Sequence, residues 1–138
     1  MPTFHHCYHS TSEACRKATR ELRYWLRAEL RLDPDTRPLI ELLTAIWEAL
    51  TNSERHAYPD TDNGTITVKA HYDRDTRVMS VDVCDKGGGF DPATPFKVTV
   101  IDGQDYCCCG RFLMSKCTDS VDYRHEPPWF VCRLTKRF

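Results

Sequence analysis

The spacing of apolar residues changes once along the chain, from a helical period to a strand period, and this change narrows the folds that the chain can adopt. As far as residue 58, apolar side chains recur every three or four positions, which is typical of amphipathic helices. From residue 66 they alternate with polar ones, as in half-buried strands. We therefore expect an α+β fold, a two-layer sandwich with helices on one face of a mostly antiparallel mixed sheet.

Local signals define the predicted elements. Ser10 and Glu13 have the spacing of a capping box at the start of the first helix, and Thr36 precedes a second helix over 39–58. The pattern also predicts an edge strand over 4–9, a hairpin turn at 73–76, a third helix over 111–121 and a final strand over 129–138. Residues 91–109 show no clear period and predict a loop or lid that reaches about 110. The predicted core positions of the two long helices are Cys15, Ala18, Leu22, Trp25, Leu26, Leu30, Leu39, Leu42, Leu43, Ile46, Leu50 and Ala57.

Length and charge restrict the class of protein. A chain of 138 residues has the size of one domain, spanning 1–138. Its 19 basic and 20 acidic side chains nearly cancel, which argues against charge-driven binding of nucleic acid or of a membrane surface. No apolar run approaches the roughly 18 residues of a membrane span, and the first residues lack the features of a secretory signal. We expect a cytoplasmic protein.

Eight cysteines are the most unusual feature of the composition. No CxxC pair occurs, so the spacings of zinc fingers and thioredoxins are absent, and thiols are the expected state in a reducing compartment. Three cysteines are consecutive, Cys107–Cys109. A metal site that combines them with His5, His6, Cys7 or His9 stays open as an alternative, and it would make the protein a thiol- or zinc-based redox sensor.

The second predicted helix carries a pair of polar residues on one face. Glu48 and Asn52 are four residues apart and therefore lie on one helix face, together with Glu41 and the small residues Ala45 and Ala49. An asparagine oxygen is a suitable neutral ligand for Mg²⁺, and a neighbouring carboxylate can accept a proton from a hydroxyl. The alanines would leave room for a ligand. The alternative is an ordinary solvated helix face.

An acidic residue and three glycines follow the second strand of the hairpin. Alternation along that strand directs Asp85 to the side of the helices, and residues 87–89 are all glycine. A carboxylate here could accept a hydrogen bond from the amino group of a flat heterocycle that lies against the glycine backbone. The alternative is a flexible loop. Neither the Walker spacing nor the GxGxxG spacing is present.

Taken together, these segments resemble the motifs of a known superfamily. Residues 48–58 read EALTNSERHAY and residues 85–92 read DKGGGFDP. They are similar to the N box and the first glycine box of the GHKL ATPases, in particular of the anti-sigma-factor serine/threonine kinases. Residues 112–119 are similar to the helix that follows the second glycine box of that family, and the resemblance spans nearly the whole chain.

The resemblance implies a Bergerat-type ATPase fold that binds ATP and Mg²⁺. By position, Asn52 would hold Mg²⁺, Glu48 would act as general base toward a serine or threonine hydroxyl, and Arg55 would approach the phosphates. Asp85 would recognise the adenine amino group. Gly87 and Gly89 would shape the pocket for the base.

The second glycine box departs from the family pattern. The family has roughly GxGLFL, whereas residues 108–113 read CCGRFL, so that Cys108 replaces a glycine and Arg111 replaces a leucine. A Cβ at position 108 would crowd a phosphate near the backbone. Gly110 remains as the family glycine, and Arg111 could compensate with a positively charged donor fork.

The resemblance also implies a function. Kinases of this family sequester a sigma factor and phosphorylate an anti-anti-sigma antagonist, often as homodimers. We therefore expect an ATP-dependent protein serine/threonine kinase that acts as an anti-sigma factor, through in-line phosphoryl transfer. The alternative is a non-catalytic partner-switch protein with a vestigial nucleotide pocket.

Overall fold

The computed structural model describes residues 2–89 and 110–138, together with the backbone of 98–101 and 104–107. Its helices are α1 (Ser12–Ala28), α2 (Arg37–Asn52) and α3 (Gly110–Cys117), and a π-helical turn (Ser53–Ala57) continues α2. Its strands are β1 (Thr3–His9), β2 (Thr65–Asp73), β3 (Val78–Asp85), β4 (Val98–Ile101), β5 (Gln104–Cys107), β6 (Ser120–Glu126) and β7 (Trp129–Arg137). Within the described residues, none of these helices combines the length and apolar character that would be required to cross a bilayer.

One sheet with strand order β1-β2-β3-β7-β6 forms the base of the molecule, and all of its described pairings are antiparallel. The register aligns Phe4, Ala70, Val81, Leu134 and Val121 in one row across the five strands. Because side chains alternate along a strand, this row lies on a single face, and it belongs to the hydrophobic core. The predicted α+β architecture is confirmed.

The predicted helical stripes supply the other half of that core. All six positions predicted for the first helix are buried, although Leu30 lies beyond the end of α1. Five of the six predicted for α2 and its continuation are also buried, whereas Ala57 is half-buried. Each large aliphatic side chain that is removed from water in this way contributes about 1.5–3 kcal/mol. The hydrophobic period of the sequence therefore identified the two helices and also the faces that pack on the sheet.

The start of α1 differs from the prediction. Thr11 is the N-cap, and its Oγ1 accepts a hydrogen bond from the backbone N–H of Ala14 at 3.0 Å. The capping box predicted for Ser10 and Glu13 is wrong, because the Ser10 hydroxyl has other partners: it donates to the carbonyl of Thr61 and accepts from the backbone N–H of Gly64. Ser10 thus ties the end of β1 to the segment before β2.

The second helix ends in a π-helical turn. Thr36 is the N-cap, as predicted, but the regular helix stops at Asn52, and Ser53–Ala57 forms a π-helical turn up to Tyr58. A π turn places one extra residue in the turn and occurs frequently at functional sites. The π turn still keeps one side against the core, so the apolar period of the sequence continues through it. That period therefore predicted a single continuous helix.

The third helix is shorter than predicted, and a strand follows it. The helix ends at Cys117 instead of residue 121, and residues 120–126 form β6, which pairs with β7. The Nζ of Lys136 donates a hydrogen bond to the carbonyl of Cys117 at 2.7 Å and so satisfies a terminal carbonyl of α3. Val121, predicted as the last helical residue, instead lies half-buried at the end of the row that crosses the sheet.

The predicted lid is only partly described. Residues 98–101 and 104–107 form an antiparallel hairpin, β4 with β5, where the sequence predicted a loop. Short strands of four residues carry too few positions to show a period. Residues 91–97, 102–103 and 108–109 lie outside the described residues, and so does the side chain of Cys107.

Candidate functional site

Asp85 ends β3 as a buried carboxylate, with 6% of its surface exposed. Its Oδ2 accepts a hydrogen bond from the Ser53 hydroxyl at 2.7 Å, and its Oδ1 accepts one from the backbone N–H of Gly87 at 3.0 Å. Alternation along β3 places Asp85 on the side of Val81 and Val83, which is the side of the helices, as predicted. The strand end and the π turn therefore meet at this carboxylate.

Both described partners of Asp85 are neutral donors. A carboxylate offers about four lone-pair positions, so that two hydrogen bonds leave acceptor capacity for a further donor. Burial of a charged group is unfavourable unless it is paired or hydrogen-bonded, so this carboxylate depends on the donors that reach it. The geometry thus suits a ligand that presents an N–H group to Asp85.

The polar pair of α2 directly precedes the π turn in sequence. Asn52 immediately precedes Ser53, and Glu48 lies one turn earlier; both side chains are half-buried. Neither side chain has a hydrogen-bond partner among the described residues. Carboxylate and amide oxygens are ligands that a hard cation prefers, and both side chains lie within one turn of the end of α2.

The remaining residues of the predicted polar face are structural. Ala45 and Ala49 are fully buried, so the prediction that they leave room for a ligand is wrong. Their small side chains allow the neighbouring elements to pack closely against α2. Glu41 accepts hydrogen bonds from the Lys136 Nζ at 2.8 Å and from the Arg37 Nε at 2.9 Å, and these partners hold the pKa of its carboxyl below the usual value.

The glycine segment is shaped by close packing. A Cβ at Gly87 would collide with the backbone and side chain of Ala57 in the π turn, and a Cβ at Gly89 would collide with the Phe130 ring. Gly89 also has a φ of +71°, in the left-handed region. Gly88, with a φ of +83°, faces open space among the described residues. Gly87 therefore lies close against the π turn and Gly89 close against Phe130, whereas a side chain at Gly88 would meet no described residue.

Tyr58 connects the π turn to the neighbouring strands. Its hydroxyl donates to the carbonyl of Thr65 at 2.7 Å and accepts from the backbone N–H of Lys86 at 2.8 Å, and its ring covers Gly64. Burial raises the pKa of Tyr58, and the charge of the nearby Asp85 raises it further, so the hydroxyl keeps its proton and both bonds. Tyr58 joins the end of the π turn to β2 and to the first residue after β3.

A second carboxylate anchors the π turn to α1. The Ser12 hydroxyl donates to Glu54 Oε1 at 2.8 Å, in the first turn of α1, where the helix dipole favours negative charge. Burial raises the pKa of the Cys15 thiol to about 11, and the charge of Glu54 adds to this effect. Glu54 thus serves the packing of the π turn that carries Arg55.

The residues that were expected to approach the phosphates are not all close to Asp85. Arg55 lies on the π turn with an exposed side chain, and Gly110 is the first residue of α3. The guanidinium carbon of Arg111 lies 5.6 Å from the ring centroid of Tyr123 on β6, two strands away from β3. Arg111 lines a cavity of about 490 Å³ between α3 and β6, and Asp85 is not among the lining residues.

The described cysteines do not form a site. Burial raises the pKa of Cys84 to about 11 and that of Cys132 to about 12, and protonated thiols react slowly. In the described part of the chain, no cluster of three or more His, Cys, Asp or Glu side chains could hold a metal. The alternative site that uses Cys107–Cys109 lies outside the described side chains.

Two functional contacts were missed at the level of sequence. Ser53 lies three residues after Leu50 and seven after Ile46, on the apolar stripe of α2. A hydroxyl on such a stripe is a signal for a buried polar partner. Tyr58 gave no comparable signal, because its two hydrogen-bond partners are backbone groups that only the fold brings together.

Comparison with known proteins identifies the family. The family model described as histidine kinase-like ATPase domain matches residues 8–136. The chain belongs to the histidine kinase-like ATPase domain family. The predicted superfamily is thereby confirmed, and ATP is the cofactor that this family implies. A search of the curated proteins finds no match.

A solved structure supports the same fold. The crystal structure of the RsbU and RsbW domains of Rv1364c from Mycobacterium tuberculosis is similar, with a TM-score of 0.69 and 22% sequence identity. The similarity covers 99% of this chain and 32% of that chain, so this chain spans about a third of that protein's solved length. The shared architecture is that of the histidine kinase-like ATPase domain.

Proposed function

We propose that this protein is an ATP-dependent protein serine/threonine kinase and an anti-sigma factor, which sequesters a sigma factor and phosphorylates an anti-anti-sigma antagonist. The observation that carries the proposal is the 2.7 Å hydrogen bond between Ser53 and Asp85, because it joins the turn that directly follows Asn52 to the carboxylate at the end of β3. Family membership supports ATP as the ligand, and the fold-level similarity to a protein with an RsbW domain supports the partner-switch role.

The base side of the proposed site is built on β3. Asp85 would accept a hydrogen bond from the adenine amino group with the acceptor capacity that Ser53 and Gly87 leave free. A side chain at Gly87 or Gly89 would collide with Ala57 or Phe130, and these glycines would shape the pocket for the ring. The residues present therefore fit a purine that carries an amino group.

The phosphate side is built on α2 and the π turn. Asn52 would provide an oxygen ligand to Mg²⁺, and the exposed Arg55 would contribute positive charge toward the phosphates. Glu48, half-buried one turn from Asn52, would accept the proton of the attacking serine or threonine hydroxyl. ATP supplies the phosphoryl group, and the protein positions the groups and neutralises charge.

The second glycine box completes the proposed site at the start of α3. Gly110 would allow the backbone to approach the phosphates, and the Arg111 guanidinium would add a donor fork. For this role the guanidinium must leave the Tyr123 ring on which it lies. We further propose that the protein works as a cytoplasmic homodimer, with protein partners and without direct contact with nucleic acid.

Nucleotide binding is the experiment that tests this proposal. Isothermal titration of the full chain with ATP, with and without Mg²⁺, should show binding that Asp85→Asn weakens about 10- to 100-fold, since a hydrogen bond to a charged group contributes about 1.5–3 kcal/mol. Glu48→Ala is the matched control, because it should retain ATP and lose phosphate transfer to an antagonist protein. Equal ATP affinity of the wild type and Asp85→Asn would refute the assignment of the pocket.

The second candidate is a partner-switch protein with a vestigial nucleotide pocket. The position of Arg111 on Tyr123, instead of beside Asp85, favours it, together with Cys108 in place of a family glycine. This candidate predicts no heat of ATP binding for a folded protein that still forms a stable complex with a purified sigma factor. ATP binding at micromolar concentration would exclude it.

A further inference from the structure

We infer that Ser53 is a positioning residue that sets the base specificity of the site, by holding Asp85 as an acceptor for a 6-amino purine and against a 6-keto purine. The inference rests on the proposed function, because it takes a purine nucleotide as the ligand of Asp85.

The carboxylate has two anchors from two different elements. Ser53, on the π turn, donates to Oδ2, and the backbone N–H of Gly87, on the glycine segment, donates to Oδ1. One donor on each oxygen fixes both the tilt and the rotation of the carboxylate plane. The direction of the remaining lone pairs is therefore set before a ligand arrives.

The hydroxyl of Ser53 has no packing role that alanine could not fill. Ser53 is 6% exposed and continues the apolar stripe of α2, where a small apolar side chain would pack equally well. A buried hydroxyl without a partner is unfavourable, and this hydroxyl has its partner in Asp85 at 2.7 Å. Its contribution therefore lies in what it does to the carboxylate.

The surroundings keep the two anchors in place. Tyr58 joins the π turn to the backbone N–H of Lys86, directly after Asp85, and Gly87 packs against Ala57 of the same turn. Loss of the Ser53 hydroxyl should consequently leave the backbone unchanged and release only the Oδ2 side of the carboxylate. A substitution of Ser53 therefore tests the role of this one hydrogen bond.

The chemistry of the ligand gives the specificity. An ionised carboxylate only accepts hydrogen bonds, so it matches the 6-amino group of adenine and opposes the 6-keto oxygen of hypoxanthine. A site built to hydrogen-bond one group rejects the analogue that lacks it, provided that the site cannot rotate to adapt. Ser53 prevents that rotation.

The test is the ratio of the dissociation constants for ATP and inosine triphosphate, measured by titration calorimetry on the full chain. We expect the wild type to prefer ATP by at least about tenfold, as one hydrogen bond to a charged group allows. Ser53→Ala should lower that ratio about tenfold, mainly by weakening ATP, while the affinity for inosine triphosphate changes by less than about twofold. Ser53→Thr, which keeps the hydroxyl, should retain the ratio.

Thr51→Ala is the matched control. Thr51 is also buried, and its Oγ1 donates to the carbonyl of Glu48 at 3.2 Å within its own helix. Its loss removes a buried hydroxyl of α2 without touching Asp85, so any general loosening of the helix should affect the two nucleotides equally. The ratio in this variant should equal that of the wild type.

The possible outcomes separate the two claims. A wild type that binds neither nucleotide refutes the proposed function and the inference with it. A wild type that prefers ATP, with an unchanged ratio in Ser53→Ala, refutes the inference alone. If Ser53→Ala does not fold, Ser53→Cys replaces it: its weak S–H donor should give an intermediate ratio, and a wild-type ratio in that variant overturns the inference.

Discussion

Lys136 provides a test of how the helix layer is held to the sheet beneath the candidate site. Its side chain, on β7, is 10% exposed, and its Nζ donates to Glu41 of α2 at 2.8 Å and to the carbonyl of Cys117 at the end of α3 at 2.7 Å. One cation thus joins the helix that carries Glu48 to the helix that follows the second glycine box.

The loss of stability expected for Lys136→Met depends on which partners of the lysine remain unpaired after the substitution. Removal of one partner of a fully buried ion pair costs about 3–5 kcal/mol, but Glu41 is 31% exposed and keeps Arg37 as a partner. The carbonyl of Cys117 loses its donor, which costs about 1–3 kcal/mol, and the methionine retains most of the apolar stem. We therefore expect a loss of about 1–3 kcal/mol in the free energy of unfolding.

Urea unfolding at pH 7, followed by circular dichroism, measures this loss. In a thermal scan it corresponds to about 4 °C for each kcal/mol in a domain of this size. Lys17→Met is the matched control. The Lys17 side chain is 63% exposed and its Nζ lies 3.9 Å from a carboxylate oxygen of Glu21, and such surface pairs contribute little to stability. A loss below about 0.5 kcal/mol in Lys136→Met, equal to that of the control, would contradict the structural role of Lys136.

The same pair gives a pH dependence with a definite sign. The hydrogen bond from Lys136 is the largest cause that holds the pKa of Glu41 below its ordinary value of 4.5. A carboxyl whose pKa is lower in the folded state stabilises that state above the unfolded pKa and loses this contribution as the pH falls through the folded pKa. The difference in stability between wild type and Lys136→Met should therefore be full at pH 7 and should shrink below pH 4.5.

Two further predictions concern the support of the site. Tyr58→Phe removes the hydroxyl that joins β2 to the residue after Asp85, and it should cost about 1–2 kcal/mol in urea unfolding and weaken ATP binding; unchanged stability and affinity would contradict the bridging role. Gly89→Ala should cost about 2 kcal/mol or more, because it combines a left-handed backbone with a collision against Phe130, whereas Gly88→Ala carries only the backbone penalty of about 1 kcal/mol; equal losses would contradict the packing described for Gly89.

The architecture could be predicted from the sequence where one face of an element is buried over several turns or several alternations. Ile46 and Leu50 recur at helical spacing, and Val81 and Val83 at strand spacing, so that both the elements and their buried faces were identified. The strand β6 was missed because only its alternate positions near Val121 are partly buried, at an edge of the sheet where the pattern is weak.

The candidate site was predictable in its residue types but less so in its contacts. Asp85 was found because a strand places alternate side chains on opposite faces, which fixes its direction. The Ser53 contact depends on a π turn, whose extra residue no periodicity reveals, and on a pairing across 32 residues of sequence. The position of Arg111 over Tyr123 depends on β6, so it could not be predicted from a sequence reading that did not include this strand.

The most direct measurement is a crystal structure of the full chain with ATP and Mg²⁺ bound. We predict that the exocyclic nitrogen of adenine lies within about 3 Å of a carboxylate oxygen of Asp85, while the Ser53 hydroxyl stays bonded to Oδ2 and Asn52 faces the metal. A nucleotide bound elsewhere on the sheet, or an adenine whose amino group has no contact with Asp85, would contradict the account.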